Sequence, residues 1–225
     1  MSAIIDQDTI LKALDWAYEK AVDGVPGLGS ASDLPEDYMK EKGAAKERAD
    51  ALIRWQIAKC ATSGFITGLG GIMTLPVAIP ANISTVLYVQ IRMIAAIAIM
   101  GGHDIRDDRV KTLIYSALCG SAAVDVLKDV GIKIGTKLSE KMIQSISRDV
   151  VVRINQAVGF RLLTKFGTTG VINLGKAVPL IGGLIGGTID GISANTIGNI
   201  ARDLFIIEDE GGVSASREVV PEELA

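Results

Sequence analysis

The stretch from Cys60 to Gly102 constrains the fold more than any other part of the chain, because it contains a single charged residue. A membrane-spanning helix needs about 20 continuous apolar residues, but Pro76 and Pro80 interrupt this run. Proline removes a backbone donor and clashes with the preceding turn, so helix is not expected to pass through both. The stretch therefore predicts a helical hairpin, with a Gly-rich arm over 61–75 and a helix over 81–100.

The second arm of this hairpin is apolar nearly all round, which is typical of a buried or lipid-embedded helix. Its one charged residue, Arg92, shares a face with Thr85 and Tyr88. An arginine among apolar residues must find a partner or extend to water. The acids set in other apolar stretches, Asp125 and Asp190, are its expected partners. We therefore predict a buried polar cluster of Tyr88, Arg92, Asp125 and Asp190. Contact between Arg92 and a ligand or lipid headgroup is the alternative.

Composition limits the class of protein. The 225 residues are enough for one substantial core, and 48% of them are hydrophobic while 22% are charged. This is apolar for a water-soluble domain but too charged for a protein with many membrane spans. Cys60 and Cys119 have no cysteine or histidine at metal-ligand spacing, so free thiols in a reducing compartment are expected. The first residues lack the pattern of a signal peptide, which predicts a cytoplasmic location. Trp16 and Trp55 do not lie close enough to the apolar stretch to predict an interfacial belt.

Charge is distributed unevenly along the chain. From Glu208 to Ala225 there are six acids and one arginine, so this segment is predicted to be a disordered acidic tail. The preceding residues, 1–207, are expected to form one helical domain with a slightly basic surface that suits an anionic partner.

A basic face is predicted over 131–148. Lys133, Lys137 and Lys141 follow at four-residue spacing, and Arg148 comes seven residues later. On one helix this spacing predicts an interfacial face that meets anionic lipid. An ordinary solvated face is the alternative. Nucleic acid is not expected, because no aromatic residue lies between these basic residues.

Helical periodicity covers the rest of the chain, and no segment alternates as a strand does. The last segment carries glycines at small-xxx-small spacing, which allows close helix packing. The expected architecture is all-α, a compact multi-helix bundle with a central Pro-broken hairpin and a C-terminal glycine-zipper helix. The other expected helices run from Thr9 to Gly24, from Ser30 or Ser32 to Gly43, from Ala44 to Thr62, from Arg106 to Val130, and over 150–166 with a turn at 167–170; the zipper glycines are Gly182, Gly183, Gly186, Gly187 and Gly191.

No catalytic constellation is found, and no cofactor or metal is expected. Residues 170–177 nearly fit a phosphate-binding loop, but they lack the Ser or Thr that holds magnesium, and Pro179 follows at once. His103, the only histidine, lies beside Asp104 and could take part in proton transfer. An enzyme that uses His103, Asp104 or Arg92 is therefore a third hypothesis, behind two non-catalytic ones.

Five segments carry a resemblance to a known family. They are PGLGS (26–30), ATSGFITGLGGIMTLPVAIPANISTVLYVQIRMIAAIAIMGG (61–102), GSAAVDVLKDVGIKIGTKL (120–138), INQAVGFRLLTKFG (154–167) and INLGKAVPLIGGLIGGTIDGISANTIGNIAR (172–202). In these segments the chain resembles the EcsC family of bacterial proteins. The resemblance implies a membrane-associated helical module whose biochemical activity is not established, and it transfers no catalytic residues. The family is named for a protein encoded beside an ABC transporter, and a related domain is fused to some membrane-associated GTPases.

Two non-catalytic functions follow. In the first, the protein is an accessory or regulatory partner at the cytoplasmic face of the cell membrane, peripheral or partly inserted through 61–100 and 178–201. Its partner would be anionic lipid or a membrane protein, including a transporter. In the second, the same stretches close into the core of a soluble bundle that binds a hydrophobic ligand or a protein. Homo-oligomers are compatible with both.

Overall fold

The computed structural model describes residues 6–25, 29–40, 43–60, 81–134, 138–173 and 182–206. In these ranges the protein is all-α, as predicted, and the only extended pairing is an isolated bridge between Val25 and Gly29. The helices are α1 (Gln7–Asp23), α2 (Asp33–Met39), α3 (Ala45–Cys60), α4 (Ala81–Met100), α5 (Asp108–Ala117), α6 (Ala123–Lys128), α7 (Glu140–Gln144), α8 (Arg148–Asn173) and α9 (Gly182–Phe205), with a 3-10 turn at Gly120–Ala122.

The first helix begins and ends at residues suited to those positions. The Asp6 carboxylate accepts a hydrogen bond from the backbone N–H of Thr9 at 2.8 Å, so Asp6 is the N-cap in place of the predicted Thr9. Gly24 ends α1 with a positive φ of 86°, which glycine adopts without steric cost. Apolar residues at helical spacing in α1 are buried, at Ile10, Ala13, Leu14, Ala17 and Ala21.

The second arm of the predicted hairpin is the central helix, α4. It packs against α1, α2, α3, α5 and α9, and its side chains from Met93 to Ala98 are at most 2% exposed. This part of α4 is therefore buried against protein. The Gly-rich arm over 61–75 and the Pro-x-x-x-Pro turn lie outside the described residues.

The helix predicted from Arg106 to Val130 is broken into α5, a 3-10 turn and α6. The Ser116 hydroxyl donates to the Leu113 carbonyl at 2.7 Å near the end of α5, a local bond that competes with the helical pattern. Gly120 begins the 3-10 turn three residues after α5 ends and takes a positive φ of 59°, which glycine adopts without steric cost. The 3-10 turn packs against α9, so the break fits the chain around that helix.

Two serines divide the region that was predicted to be one basic helix. Ser139 caps the short helix α7 by accepting from the Met142 N–H at 3.3 Å. Ser147 accepts from the Val150 N–H at 3.3 Å at the start of α8. Serine stabilises helix starts better than helix interiors. The prediction of a continuous helix over 131–148 was therefore wrong.

Helix α8 is longer than predicted, because helical backbone continues through the turn expected at 167–170. Glycine and β-branched residues weaken a helix without necessarily breaking it. The apolar spacing of 150–166 predicts an inward face of Val151, Ile154, Val158, Leu162 and Phe166. Ile154, Val158 and Leu162 are buried. Val151 is half-buried, and the side chain of Phe166 lies outside the described residues.

The C-terminal helix α9 contains the predicted zipper glycines in helical backbone, but what packs on Gly182–Gly191 lies outside the described residues. In the described part, close packing occurs later, at Gly198. A Cβ atom on Gly198 would lie 2.8 Å from Cγ2 of Ile53 on α3, a distance that real Cβ contacts do not reach. Glycine therefore sets the separation between α9 and α3 at this point.

Candidate functional site

Arg92 and Tyr88 on α4 face the segment that follows α1. Nε of Arg92 donates to the Ser30 carbonyl at 3.1 Å, and the Tyr88 hydroxyl lies 3.5 Å from the Gly29 carbonyl oxygen. Asp33 accepts from the backbone N–H of Ser30 at 2.5 Å. These bonds join the central helix α4 to the residues that precede α2. Contacts with α4 therefore fix the position of Gly29 and Ser30.

Charge at this cluster comes from Arg92 and Asp33. Burial lowers the pKa of Arg92, while Tyr88 and Asp33 act in the opposite direction. The pKa of Asp33 is lowered, chiefly by hydrogen bonds from Ser30, with a smaller contribution from the charge of Arg92. Arginine has so high a pKa that it stays protonated here. Arg92 is therefore a cation whose Nε binds a backbone carbonyl and whose neighbouring acid is Asp33.

The predicted partners of Arg92 are thus partly wrong. Asp125 is exposed on α6, so it is not a member of a buried cluster. The side chain of Asp190 lies outside the described residues. The acidic partner of Arg92 was expected to come from an apolar stretch. The acid near Arg92 is instead Asp33, at the start of α2, which tertiary packing brings close.

A second polar site is an open cleft of about 670 Å³ between α1, α5 and the first turns of α8. On its floor the Tyr115 hydroxyl donates to Asp15 at 2.8 Å, and Nζ of Lys111 lies 2.8 Å from the same carboxylate. At the rim, Arg109 donates to the Ile146 carbonyl at 3.0 Å. Most of the polar groups in the cleft are therefore already bonded to one another.

The chemistry of this cleft favours a structural part over a reactive one. Burial, followed by the charge of Asp15, raises the pKa of Tyr115, so its phenol is a hydrogen-bond donor and not a base. Oδ1 of Asn155 is buried there without a hydrogen-bond partner. Because charged and amide side chains line the cleft, it does not suit the hydrophobic ligand of the soluble-bundle hypothesis.

His103 lies where the carboxyl ends of α4 and α9 meet. Its Nε2 is 3.2 Å from the Phe205 carbonyl oxygen, and the two rings have centroids 5.4 Å apart. A carbonyl oxygen can only accept, so Nε2 carries the proton of this bond. Arg92 lies eight residues, about 12 Å, before α4 ends at Met100. Arg92 and His103 thus bind different carbonyl groups, and neither lines the cleft.

The predicted basic residues lie on separate elements. Lys133 is in the turn after α6, Lys141 is on α7, and Arg148 is the first residue of α8. All three are exposed, while Lys137 lies outside the described residues. The face defined by four-residue spacing therefore does not form, although contact of the individual residues with lipid stays a prediction.

A basic and apolar surface that the sequence reading missed lies on α8. Phe160 is 59% exposed and Val152 is 51% exposed. Arg153 and Arg161 are exposed beside them. The signal was present in the sequence, because all four residues fall outside the buried stripe of Ile154, Val158 and Leu162. We call Arg148, Val152, Arg153, Phe160 and Arg161 the α8 face.

Three helix ends point to the same end of the bundle. Arg202 on α9 bonds Asp50 on α3 at 2.6 Å, and Gly198 packs on Ile53, so α3 and α9 are antiparallel. Helices α4 and α9 pack along each other, and their carboxyl ends meet at Gly101 and Phe205, so these two helices run in the same direction.

The end of α3 at Cys60 and the starts of α4 at Ala81 and α9 at Gly182 consequently lie toward one end, which we call the uncharged end. The segment that leaves α3, 61–80, has no charged residue, and the segment before α9, 174–181, has only Lys176.

The described ranges hold neither a cluster of metal ligands nor a membrane-spanning helix. No group of three or more His, Cys, Asp or Glu side chains there could hold a metal ion. Among the helices in those ranges, none combines the length and the apolar character needed to cross a membrane.

Comparison with known proteins gives one result. Residues 7–207 match the family described as the EcsC protein family, which covers the helices from α1 to α9. Neither the curated proteins nor the solved structures gave a match. The match extends over most of the chain, and the protein therefore belongs to the EcsC protein family.

Proposed function

We propose that this protein is a non-catalytic helical accessory or regulatory module that associates with the cytoplasmic face of the cell membrane through its uncharged end. The observation that supports this most is the common direction of the carboxyl end of α3 and the amino ends of α4 and α9. The two segments attached there contain one charge between them, at Lys176. Apolar surface gains about 25 cal/mol per Å² on leaving water, so placing these segments against lipid is favourable.

A tryptophan near this end supports the same orientation. Trp55 is 40% exposed on α3, five residues before the helix ends at Cys60. Tryptophan favours the boundary between lipid and water. The described core of α4 is buried against other helices, so contact with lipid would be limited to the end of the bundle. The proposed mode is therefore peripheral or partly inserted, with anionic lipid or a membrane protein such as a transporter as the partner.

Cell fractionation tests this proposal. The membrane pellet is washed first with high salt and then with detergent, and release only by detergent is expected because the contact is apolar. Ile72→Glu places a charge in 61–80 and should move the protein to the supernatant. Val124→Glu is the matched control, because Val124 is a 44% exposed apolar residue on α6, and it should stay in the pellet. Recovery of the unmodified protein in the supernatant would refute the proposal.

The alternative is a water-soluble bundle that binds a hydrophobic ligand or a protein. The polar cleft gives no support for a hydrophobic ligand. A protein partner without membrane contact would be indicated by unmodified protein that never pellets and that elutes as a larger complex from cell extract.

A further inference from the structure

The longest described helix, α8, presents a second surface suited to membrane contact. The inference drawn from this surface rests on the proposed function. We propose that the α8 face is a docking surface for anionic lipid headgroups. Its arginines would bind lipid phosphates, and its two apolar side chains would enter the headgroup region. The α8 face takes the place of the basic face that was predicted over 131–148.

Exposure of apolar side chains is the first argument. Phe160 and Val152 are the two most exposed large hydrophobic residues in the described part of the chain. They lie eight residues apart, about 12 Å along the helix. On the opposite side of α8, Ile154, Val158 and Leu162 are at most 1% exposed. The core therefore fixes the orientation of α8, and Phe160 cannot turn inward without displacing this stripe.

Charge is the second argument. Arg148, Arg153 and Arg161 are exposed, and within the described ranges their guanidinium groups form no hydrogen bond or ion pair. In contrast, Lys12, Lys111 and Arg202 each pair with an acid. Guanidinium groups bind phosphate oxygens in pairs of parallel hydrogen bonds. Arg153 and Arg161 are thus available for phosphate, while Arg148 lines the cleft together with Asp15, Asp107, Asp108 and Asp149.

The shape and position of the α8 face favour a lipid surface. Arg153, Phe160 and Arg161 lie within about 12 Å along one helix, and none of these three residues lines the cleft, whereas Arg148 and Val152 do. A single aromatic residue offers no series of stacking positions for nucleic acid bases. Helix α8 continues from the α8 face toward residues 174–181 and the uncharged end, and Arg161 lies about 18 Å before its last residue, Asn173.

Vesicle flotation tests the assignment with full-length protein. Binding is measured to vesicles of phosphatidylcholine with phosphatidylglycerol and to vesicles of phosphatidylcholine alone. Arg153→Glu with Arg161→Glu should weaken binding to the anionic vesicles about tenfold or more, since each basic residue near such a surface contributes about a fivefold increase in affinity. Phe160→Ser should weaken binding while leaving its salt dependence in place.

The control changes the same net charge elsewhere. Lys20→Glu with Lys40→Glu alters two exposed lysines, at the ends of α1 and α2, and should change binding less than twofold. Equal weakening by this control would show that net charge decides binding and would overturn the α8 face. All variants replace exposed residues, and matching melting curves verify that they fold.

The remaining outcomes separate this inference from the proposed function. If the unmodified protein binds the anionic vesicles and the variant Arg153→Glu with Arg161→Glu binds them equally well, the α8 face is not a lipid-docking surface. The uncharged end would then be the membrane contact. Failure of unmodified protein to bind either vesicle would overturn both proposals. A change in oligomeric state by light scattering, with vesicle binding intact, would assign the α8 face to self-association and overturn the lipid assignment.

Discussion

Nε of Arg92 lies 3.1 Å from the carbonyl oxygen of Ser30, so the central helix α4 is tied to the segment between α1 and α2. The only charge between Cys60 and Gly102 is thus engaged inside the protein. It supports the fold at a point where α1, α2 and α4 meet, and it is not exposed at the uncharged end. Membrane contact would therefore depend on uncharged segments and on cations elsewhere.

Replacing Arg92 tests the strength of this contact. Arg92→Met keeps most of the aliphatic length but removes the charged donor and leaves the Ser30 carbonyl without it. A hydrogen bond from a charged group contributes about 1.5–3 kcal/mol, so the free energy of unfolding in urea should fall by that amount. Tyr88→Phe is the comparison, because its 3.5 Å contact is at the limit of a hydrogen bond and its loss should cost less than about 1 kcal/mol. Equal stability of Arg92→Met and the unmodified protein would show that the contact contributes nothing.

The close approach of α3 and α9 makes a prediction about Gly198. A methyl group at this position would overlap Ile53, and overpacking of this kind costs about 1–3 kcal/mol. Gly198→Ala should lower the melting temperature accordingly. Ile53→Ala makes room for the added methyl group. The loss of unfolding free energy in the double variant should therefore be smaller than the sum of the losses in the two single variants. Additive losses in this double-mutant cycle would contradict the described packing.

The burial of His103 predicts a dependence of stability on pH. Burial lowers the pKa of His103 from its ordinary value of 6.5, although Phe205 and Glu140 act in the opposite direction. The unfolded chain then binds the proton more readily than the folded protein. Stability from this residue is therefore complete above pH 6.5 and is lost as the pH falls from 6.5 toward the lowered pKa.

His103→Gln is the control for this effect, because glutamine can still donate to the Phe205 carbonyl but does not titrate. The chain has one histidine. The free energy of unfolding in urea should therefore change less between pH 7 and pH 5 in this variant than in the unmodified protein. An identical slope with and without His103 would assign the pH dependence to other groups.

The sequence was sufficient for α4, because Pro80 and Gly101 bracket an apolar run that has no other interruption. The sequence was insufficient at two breaks where apolar periodicity continues. Packing of the 3-10 turn against α9 accompanies the break at Gly120, and serine caps at Ser139 and Ser147 divide 131–148. The acid near Arg92 was also missed, because Asp33 is 59 positions away in the chain and tertiary packing alone brings it close.

The candidate membrane surfaces show the same limit. The absence of charge in 61–80 is a property of composition and was recognised at once. The relative orientation of α3, α4 and α9 brings the carboxyl end of α3 and the amino ends of α4 and α9 to one end of the bundle. No local sequence pattern encodes this orientation. The α8 face carries no regular spacing of basic residues, whereas the lysines over 131–148 repeat every four residues and so predicted a basic face in the wrong place.

Lipid contact at the uncharged end is tested most directly by quenching of tryptophan fluorescence with brominated phospholipid in anionic vesicles. Trp16→Phe leaves Trp55 near the end of α3 as the only tryptophan, and Trp55→Phe leaves Trp16 on α1. Bromine quenches only by close contact, so vesicle-bound protein should lose fluorescence from Trp55 and retain that from Trp16. Retained fluorescence from Trp55 in protein that floats with the vesicles, or equal quenching of both residues, would contradict the proposed orientation.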